Sequence, residues 1–190
     1  DIIRIDHFRG FAEYWAVPGG DETAVNGKWE KGPGTALFQA VLDALGKLPI
    51  MAEDLGLMTP SVHNLRDHFS FPGMHILQFA FALDIGATSE ADLYPHLPHR
   101  YKPNSVTYTG THDNNTTKGW WQKDATEAEK RKFCEYLNVD GSSVVWDLIQ
   151  TCFFCPSDTA IVPMQDLLAL DEGARMNFPG HPSGNWQWRA

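Results

Sequence analysis

The sequence of 190 residues lacks several features that would assign it to a common class. No apolar run approaches the roughly 18 residues of a membrane-spanning helix, and no signal-like segment opens the chain. Neither the G-x-x-x-x-G-K-[ST] nor the G-x-G-x-x-G spacing of phosphate-binding loops is present. Positive charge is scarce, with 15 Lys and Arg against 24 Asp and Glu and a net charge of −9. We therefore expect no membrane and no nucleic acid among its partners, because nucleic-acid phosphates attract basic patches.

Cysteine is also sparse. Cys134 stands alone, and Cys152 and Cys155 form a single C-x-x-C. A zinc ribbon needs a second pair, and a redox C-x-x-C should open a helix that follows a strand. This pair instead closes an apolar helical stretch just before Pro156. We interpret the two thiols as packing groups in a reducing compartment.

What the chain does contain is a repeated passage from an apolar strand pattern to ionisable side chains. It occurs at residues 2–5 before Asp6 and His7, at residues 50–52 before Glu53, and at residues 105–109 before His112 and Asp113. Short β-branched runs are typical of strands buried on both faces, and we predict residues 2–5 to be such a strand. In parallel α/β proteins the active site lies at the carboxyl ends of the strands. Three predicted strand ends that carry carboxylates therefore indicate an active site.

Strand and helix patterns alternate along the chain. We predict strands at residues 2–5, 50–52, 74–81, 105–109 and 159–164. We predict helices at residues 35–45, 59–69, 126–137, 142–152 and 165–170, with a capping box at Thr126 and Glu129 and an N-cap at Ser142. Loops are expected at residues 18–34, 82–103 and 174–190, the first as a lid or sugar-stacking element.

This alternation calls for parallel strands joined by right-handed crossovers. Ionisable groups at successive strand ends favour a TIM (β/α)8 barrel over a doubly wound sheet. Such a barrel has eight strands and about 250 residues, whereas we predict five strands here, and the chain starts at Asp1 directly on a strand. We therefore expect an α/β fold that forms the C-terminal five strands of an incomplete TIM barrel. Residues 1–190 would be a single catalytic-domain fragment, with the tail at 174–190 on the active-site side.

Asp6, Glu53 and Asp113 follow three of the predicted strands, and in a barrel these ends converge on one mouth. Convergent carboxylates without a cluster of histidines at metal-ligand spacing suit glycosidic-bond chemistry. One carboxylate attacks the anomeric carbon, and a second, kept protonated, donates to the leaving oxygen. Arg4 lies two residues before Asp6 and shares its side of the strand, because strand side chains alternate. Its positive charge would keep Asp6 ionised, as a nucleophile must be.

A metal site built from these carboxylates and the neighbouring histidines is the main alternative. The chain has no H-x-H or H-E-x-x-H spacing, and the adjacent His112 and Asp113 would point to opposite sides of a strand. We therefore predict no metal and no cofactor. Aromatic faces for sugar rings are offered by five tryptophans: Trp15, Trp29, Trp120, Trp121 and Trp186.

Three segments resemble signature segments of the 4-α-glucanotransferases, the amylomaltase or disproportionating-enzyme family (glycoside hydrolase family 77): RIDHFRG at 4–10, AEDLG at 52–56 and GTHDN at 110–114. Further agreement lies in WEKGPG at 29–34, FPGM at 71–74, RMN at 175–177 and NWQWR at 185–189. The resemblance covers nearly the whole chain. Asn115 stands where many relatives have Asp, and the family's earlier barrel strands, with a further site aspartate, have no counterpart here.

The resemblance implies retaining transfer of an α-1,4-glucan segment to the 4-hydroxyl of glucose or another maltooligosaccharide, through a covalent glycosyl-enzyme. By motif match Asp6 is the nucleophile, Glu53 the general acid/base and Asp113 the transition-state stabiliser. Arg4 and His112 would hold the sugar bound at the nucleophile, and His7 and Asn177 would face the acceptor side. The implied partners are the glucan donor, the sugar acceptor and the missing N-terminal half of the barrel. We expect this fragment to be inactive alone.

The sequence leaves two alternative functions open. One is an α-glucan hydrolase or branching enzyme of the same superfamily, and the other is a non-catalytic glucan-binding fragment. We expect the protein to be cytoplasmic, with a plastid location as the other option.

Overall fold

A computed structural model describes residues 1–56, 58–82 and 96–190 of the chain. The loop expected at residues 82–103 falls largely on residues 83–95, which lie outside the described residues. The described residues group into two compact units, Asp1–Met74 and His75–Ala190. In the ranges described, no helix has the length and apolar character needed to cross a membrane.

Strands and helices alternate, as the sequence predicts. Within the described residues the strands are β1 (Ile3–Ile5), β2 (Glu13–Ala16), β3 (Lys28–Lys31), β4 (Ile50–Ala52), β5 (Gly73–Ile76), β6 (Ser105–Tyr108) and β7 (Thr159–Ile161). The α-helices there are α1 (Arg9–Ala12), α2 (Gly34–Leu45), α3 (Pro60–His68), α4 (Thr117–Gly119), α5 (Glu127–Leu137), α6 (Val144–Phe154) and α7 (Met164–Leu167). The α/β class is confirmed.

The strand pairing is parallel where the sequence called for it. β1 pairs with β4 in parallel, with Ile3 opposite Ile50 and Ile5 opposite Ala52. β6 pairs with β7 in parallel, within a three-stranded sheet of order β5-β6-β7. The Ala52 N–H also donates to the carbonyl of Pro72, 2.9 Å away, which ties the end of β4 to the residue before β5. Parallel pairing brings successive strand ends to the same side of a sheet.

An aromatic cluster forms the core of the first unit. Phe8, in the turn after β1, is fully buried, and its ring centroid lies 5.4 Å from that of Phe38 on α2. Two residues after β4, Asp54 forms a buried ion pair with Arg66 on α3. The other carboxylate oxygen of Asp54 accepts the Met74 N–H at 2.7 Å. A Cβ at Gly73 would lie 2.6 Å from Asp54 Oδ2, so only glycine fits beside this pair. These contacts fix the segment that carries Glu53.

In the second unit α5 packs against the 3-10 helix at Leu77–Phe81, and α6 packs against β7. Thr126 and Glu129 form the predicted capping box, in which each side chain bonds the other residue's backbone N–H. Cys152 is 1% exposed and donates its thiol to the Thr107 carbonyl at 3.3 Å, and Cys155 contacts Thr107 Oγ1 at 3.4 Å. Both are free thiols. Their interpretation as packing groups is confirmed.

Several expectations are wrong in detail. Residues 2–5 are not buried on both faces, since Ile2 is 58% and Ile3 48% exposed; β1 has only β4 as a strand neighbour among the described residues. Helix α6 begins after Ser143, not Ser142, and no side chain caps it. The predicted strand at 74–81 ends at Ile76, and a 3-10 helix follows at Leu77–Phe81.

The stretch at 18–34 is not a plain loop. It contains β3, which pairs antiparallel with β2, so that Trp15 lies opposite Trp29. The two indole rings meet edge to face with centroids 5.3 Å apart, and the Trp15 N–H donates to the Ala24 carbonyl at 2.8 Å. The expected lid is therefore a braced hairpin that directly follows the segment carrying Asp6 and His7.

Candidate active site

Asp6 lies at the carboxyl end of β1 beside Arg4. The Arg4 Nη1 atom is 2.8 Å from Asp6 Oδ1, which confirms that the two side chains share one side of the strand. Strand geometry explains this, because residues i and i+2 face the same way. The Asp6 side chain is 74% exposed, whereas that of Arg4 is largely covered. Asp6 is thus a solvent-facing carboxylate held against a fixed positive charge.

His7 turns the chain away from β1. Its φ of +45° lies in the left-handed region, which non-glycine residues seldom adopt. The Gly10 N–H donates to the His7 carbonyl at 2.9 Å and closes the turn. The backbone N–H of His7 donates to Glu53 Oε2 at 2.8 Å. The strained turn therefore gives Glu53 a main-chain partner.

Glu53 lies at the carboxyl end of β4, one strand away from β1. Its second oxygen, Oε1, accepts the Leu55 N–H at 3.0 Å. Its own N–H donates to the Ile5 carbonyl at 2.9 Å, and its carbonyl accepts the Phe8 N–H at 3.0 Å. These bonds extend the β1–β4 pairing past the strand ends. The first unit thus brings together the segments that carry Asp6, His7 and Glu53.

Asp113 lies in the turn after β6, where two downstream side chains meet it. Asn177 Nδ2 donates to Asp113 Oδ1 at 2.6 Å, and Arg175 donates to the Asp113 carbonyl at 2.7 Å. The Asn177 N–H donates to the His112 carbonyl at 3.1 Å. The expectation that His112 and Asp113 point to opposite sides is wrong: His112 Nε2 lies 3.2 Å from Asp113 Oδ2. Both residues lie beyond the last residue of β6, so strand alternation does not apply to them.

A cavity of about 140 Å³ lies beside this turn. His112 and Trp186 line it, with ring centroids 5.0 Å apart. Arg175, Gln165 and Asp166 line it as well. None of these last three was a candidate from the sequence. Arg175 lies in the RMN segment and could have been noticed there; Asp166 lies within a predicted helix and gave no signal.

The five tryptophans predicted to offer faces for sugar rings divide into core and exposed groups. Trp120 is buried in the core of the second unit, and Trp121 packs against that core. Trp15, Trp29 and Trp186 are exposed. The guanidinium carbon of Arg9 lies 4.2 Å from the Trp29 ring centroid, within the range of a cation–π contact. The exposed three are the aromatic surfaces from which a sugar platform can be built.

In the part of the chain that the structure describes, no group of three or more His, Cys, Asp or Glu side chains is arranged to hold a metal ion. The chemistry open to the described residues is that of carboxylates, imidazoles and guanidinium groups. Carboxylates at the carboxyl ends of parallel strands, next to arginine and histidine, are typical of the active sites of α/β enzymes.

The particular family follows from comparison with known proteins. The chain belongs to the 4-alpha-glucanotransferase family, whose model matches residues 1–190. It is 50% identical over 190 residues to the 4-alpha-glucanotransferase of Streptococcus pneumoniae serotype 4. It is 47% identical over 190 residues to the chloroplastic/amyloplastic 4-alpha-glucanotransferase of Arabidopsis thaliana. Both matches cover 100% of this chain, but only 36% and 32% of the relatives. The chain thus spans about a third of the length of these curated relatives.

Solved structures agree with this assignment. The amylomaltase of Streptococcus agalactiae, determined in complex with acarbose, matches with a TM-score of 0.88 and 37% identity, over 100% of this chain and 37% of that one. The amylomaltase of Corynebacterium glutamicum matches with a TM-score of 0.70 at 18% identity, over 97% of this chain and 31% of that one. The second likeness concerns the fold alone.

Proposed function

We propose that the complete protein is a 4-alpha-glucanotransferase that moves an α-1,4-glucan segment from a donor to the 4-hydroxyl of glucose or another maltooligosaccharide. The observation that carries this proposal is the family match over the whole chain. The carboxylates at the ends of β1 and β4 and in the turn after β6 support it. The complex of the S. agalactiae relative with acarbose supports an oligosaccharide as the ligand.

In this proposal Asp6 is the nucleophile. Its carboxylate attacks the anomeric carbon, the glycosidic C–O bond breaks, and Glu53 donates a proton to the leaving oxygen. The acceptor 4-hydroxyl then attacks the covalent glycosyl-enzyme, gives its proton to Glu53 and releases Asp6. The exposure of Asp6 and its contact with Arg4 support the first role, because a nucleophile must be reachable and ionised. The two N–H groups on Glu53 support the second, because they fix the direction of its carboxyl group.

Asp113 would stabilise the positive charge that develops on the sugar ring. The hydrogen bond that it accepts from Asn177 and its contact with His112 support this role by orienting the carboxylate. We assign substrate contacts to Arg4 and His112 at the nucleophile's sugar, and to His7 and Asn177 on the acceptor side. Transfer instead of hydrolysis requires that water be kept from the intermediate. The β2–β3 hairpin, with Trp15 and Trp29 exposed, is suited to that task.

We further propose that residues 1–190 are one catalytic-domain fragment, the last five strands of a TIM barrel. The parallel pairs β1–β4 and β6–β7 support this arrangement. The plastid relative and the bacterial relatives leave the cytoplasm and the plastid as the two candidate locations. In either one the substrates would be maltodextrins derived from glycogen or starch.

The test is product analysis with maltotriose as the only substrate of the complete protein. A transferase yields a ladder of shorter and longer oligomers with little gain in reducing ends. The Asp6→Asn variant should lower the rate by more than about 10³-fold, as expected when a nucleophile is removed. Asp43→Asn is the matched control, because Asp43 is an exposed α2 carboxylate that accepts a hydrogen bond from the Gln39 amide, and the rate of this variant should be unchanged.

Other product patterns would contradict the proposal. Accumulation of glucose and maltose with a matching rise in reducing ends would identify a hydrolase. Branched products would identify a branching enzyme. Binding of maltooligosaccharides without any turnover would identify a glucan-binding protein.

A further inference from the structure

The turn that carries His112 and Asp113 is held at both of its ends. Thr109 follows β6 directly, and Thr117 opens α4; both threonines are fully buried. Between them the turn has its own bonds, since Asn114 Oδ1 accepts from the Thr111 N–H and hydroxyl at 2.9 and 2.8 Å. These internal bonds shape the turn but do not fix it to the rest of the unit. Its middle is bonded to the rest of the unit by Gln78, Arg175 and Asn177, and its two ends are bonded separately.

One carboxylate, that of Asp166 on α7, binds both ends. Asp166 Oδ2 accepts the Thr109 hydroxyl at 2.6 Å and the Thr117 hydroxyl at 2.8 Å. Asp166 Oδ1 accepts the Thr117 backbone N–H at 2.7 Å. The Asp166 residue is 1% exposed. Three hydrogen bonds to a charged acceptor are each stronger than bonds between neutral groups, and they satisfy an anion that burial would otherwise make costly.

The same short helix, α7, also anchors residues 174–177, the segment that hydrogen-bonds Asp113. Gln165, adjacent to Asp166, donates its amide to the Ala174 carbonyl at 3.3 Å. Ala174 directly precedes Arg175, and Arg175 and Asn177 are the residues that bond Asp113. Through two neighbouring side chains, helix α7 therefore holds both the turn that contains Asp113 and the segment whose residues donate hydrogen bonds to Asp113.

We propose that Asp166 is a positioning residue for the glucan transfer reaction. By tying Thr109 to Thr117 it fixes the turn so that the Asp113 carboxylate meets Asn177 and keeps its direction toward the sugar. This inference rests on the proposed function for its kinetic consequence. Because Asp166 is only 1% exposed, we assign it no substrate contact, and its effect passes through Asp113. A displacement of about 1 Å at a reacting group can cost about 100-fold in rate, so a buried anchor of this kind matters for kcat.

The kinetic test is a double-mutant cycle in the complete protein. Asp166→Asn keeps the shape but replaces an acceptor with a donor, and it should lower kcat by about 10- to 100-fold with KM within about twofold. In the Asp113→Asn background the same change should lower kcat by less than about threefold, because the group that it positions is already disabled. A full additional loss in that background would overturn the proposal, since Asp166 would then act independently of Asp113.

Thr109→Val provides a milder variant should Asp166→Asn fold poorly, because it removes one hydroxyl donor and keeps the volume. Thr107→Val is its matched control: Thr107 is equally buried on β6, two residues earlier, and its hydroxyl contacts Ser157 at 2.6 Å instead. Thr109→Val should lower kcat by about 10-fold, and Thr107→Val should leave kcat unchanged. Equal kcat losses in the two variants would overturn the proposal.

Amide hydrogen exchange tests the anchor without relying on activity. Exchange at residues 110–116 should accelerate in Asp166→Asn and Thr109→Val but not in Thr107→Val. Unchanged exchange in the first two variants would overturn the proposal whether or not the protein transfers glucan. If the wild-type protein is inactive but exchange at residues 110–116 still accelerates in Asp166→Asn and Thr109→Val, the proposed function is refuted and the anchoring role of Asp166 is supported.

Discussion

His7 illustrates how a single residue links backbone strain to the candidate chemistry. A non-glycine residue at positive φ costs on the order of 1–3 kcal/mol when its surroundings impose it. Here the φ of +45° is imposed by the turn to Gly10 and by the bond from the His7 N–H to Glu53. A glycine would relieve the strain but would supply no imidazole. The proposed acceptor-side role of His7 requires that imidazole.

Cys152 supports a prediction at the residue scale. Burial, followed by the neighbouring Cys155, raises the pKa of the Cys152 thiol to about 12. At about pH 8 only about one such thiol in ten thousand is ionised, and the thiolate is the reactive form. We expect iodoacetamide to leave Cys152 unmodified in the native complete protein and to modify it in concentrated urea, as read by peptide mass spectrometry. Rapid alkylation of native Cys152 would contradict this prediction.

The same pKa shift gives a direction for stability. The folded state holds the Cys152 proton more tightly than the unfolded state does, so its contribution to the free energy of unfolding falls as pH rises from about 8.5 toward 12. A Cys152→Ala variant should therefore lose less stability over this interval than the wild-type protein. An equal loss in both would show that Cys152 does not contribute to the alkaline decline.

At the scale of elements, the Asp54–Arg66 pair joins β4, α3 and β5 and supports the next prediction. Both side chains are almost covered, and Asp54 also holds the Met74 N–H. Removing one partner of a buried ion pair leaves an uncompensated charge, so Arg66→Met should reduce the free energy of unfolding by about 3–5 kcal/mol. Adding Asp54→Asn should recover at least about half of that loss, because the amide carries no charge and still accepts the Met74 N–H.

Urea denaturation of the complete protein, followed by tryptophan fluorescence, measures these changes. Lys130→Met is the control, since the partner of Lys130, Glu127, is mostly exposed and such pairs contribute about 1 kcal/mol or less. An Arg66→Met loss no larger than that of the control would refute the argument from buried charge.

The elements also show what could be predicted from sequence. The capping box at Thr126 and Glu129 was correct because all of its bonds lie within four residues. The β2–β3 hairpin was missed because its pairing joins residues such as Trp15 and Trp29 across a Gly- and Pro-containing stretch that resembles a loop. The strand at 74–81 was predicted too long because an apolar run does not distinguish a strand from a buried 3-10 helix.

The candidate site divides in the same way. Asp6 and Glu53 could be found because strand ends are visible in the sequence and their positions follow from parallel pairing. The contact between Arg4 and Asp6 followed from strand alternation and is confirmed. The prediction that His112 and Asp113 point to opposite sides was wrong because these residues lie in a turn, not in a strand. Asp166 could not be found because its two partners, Thr109 and Thr117, lie 57 and 49 residues away in sequence, so only the folded chain brings them together.

At the scale of the whole molecule, two strands among the described residues have a single strand neighbour each. In the described ranges β1 has one strand neighbour, β4, and β7 has one, β6. Ile3 on β1 and Ile2 just before it are about half exposed, and Ile161 on β7 is also exposed. Parallel sheets are usually buried on both faces, and open edges with apolar side chains promote association. Relatives about three times as long have the additional chain that can cover such strands.

We therefore predict that residues 1–190 expressed alone do not transfer glucan. The physical reason is that β1, which ends at Asp6, and β7, which pairs with the strand before Asp113, would each have one uncovered edge. Neither carboxylate would then be held with the accuracy that transfer requires. The measurement compares maltotriose disproportionation by this chain alone, by the complete protein, and by this chain coexpressed with the remainder of the protein. We expect a rate more than about 10³-fold below that of the complete protein for the chain alone, and recovery on coexpression. Transfer by the isolated chain at a rate close to that of the complete protein would show that the five strands suffice.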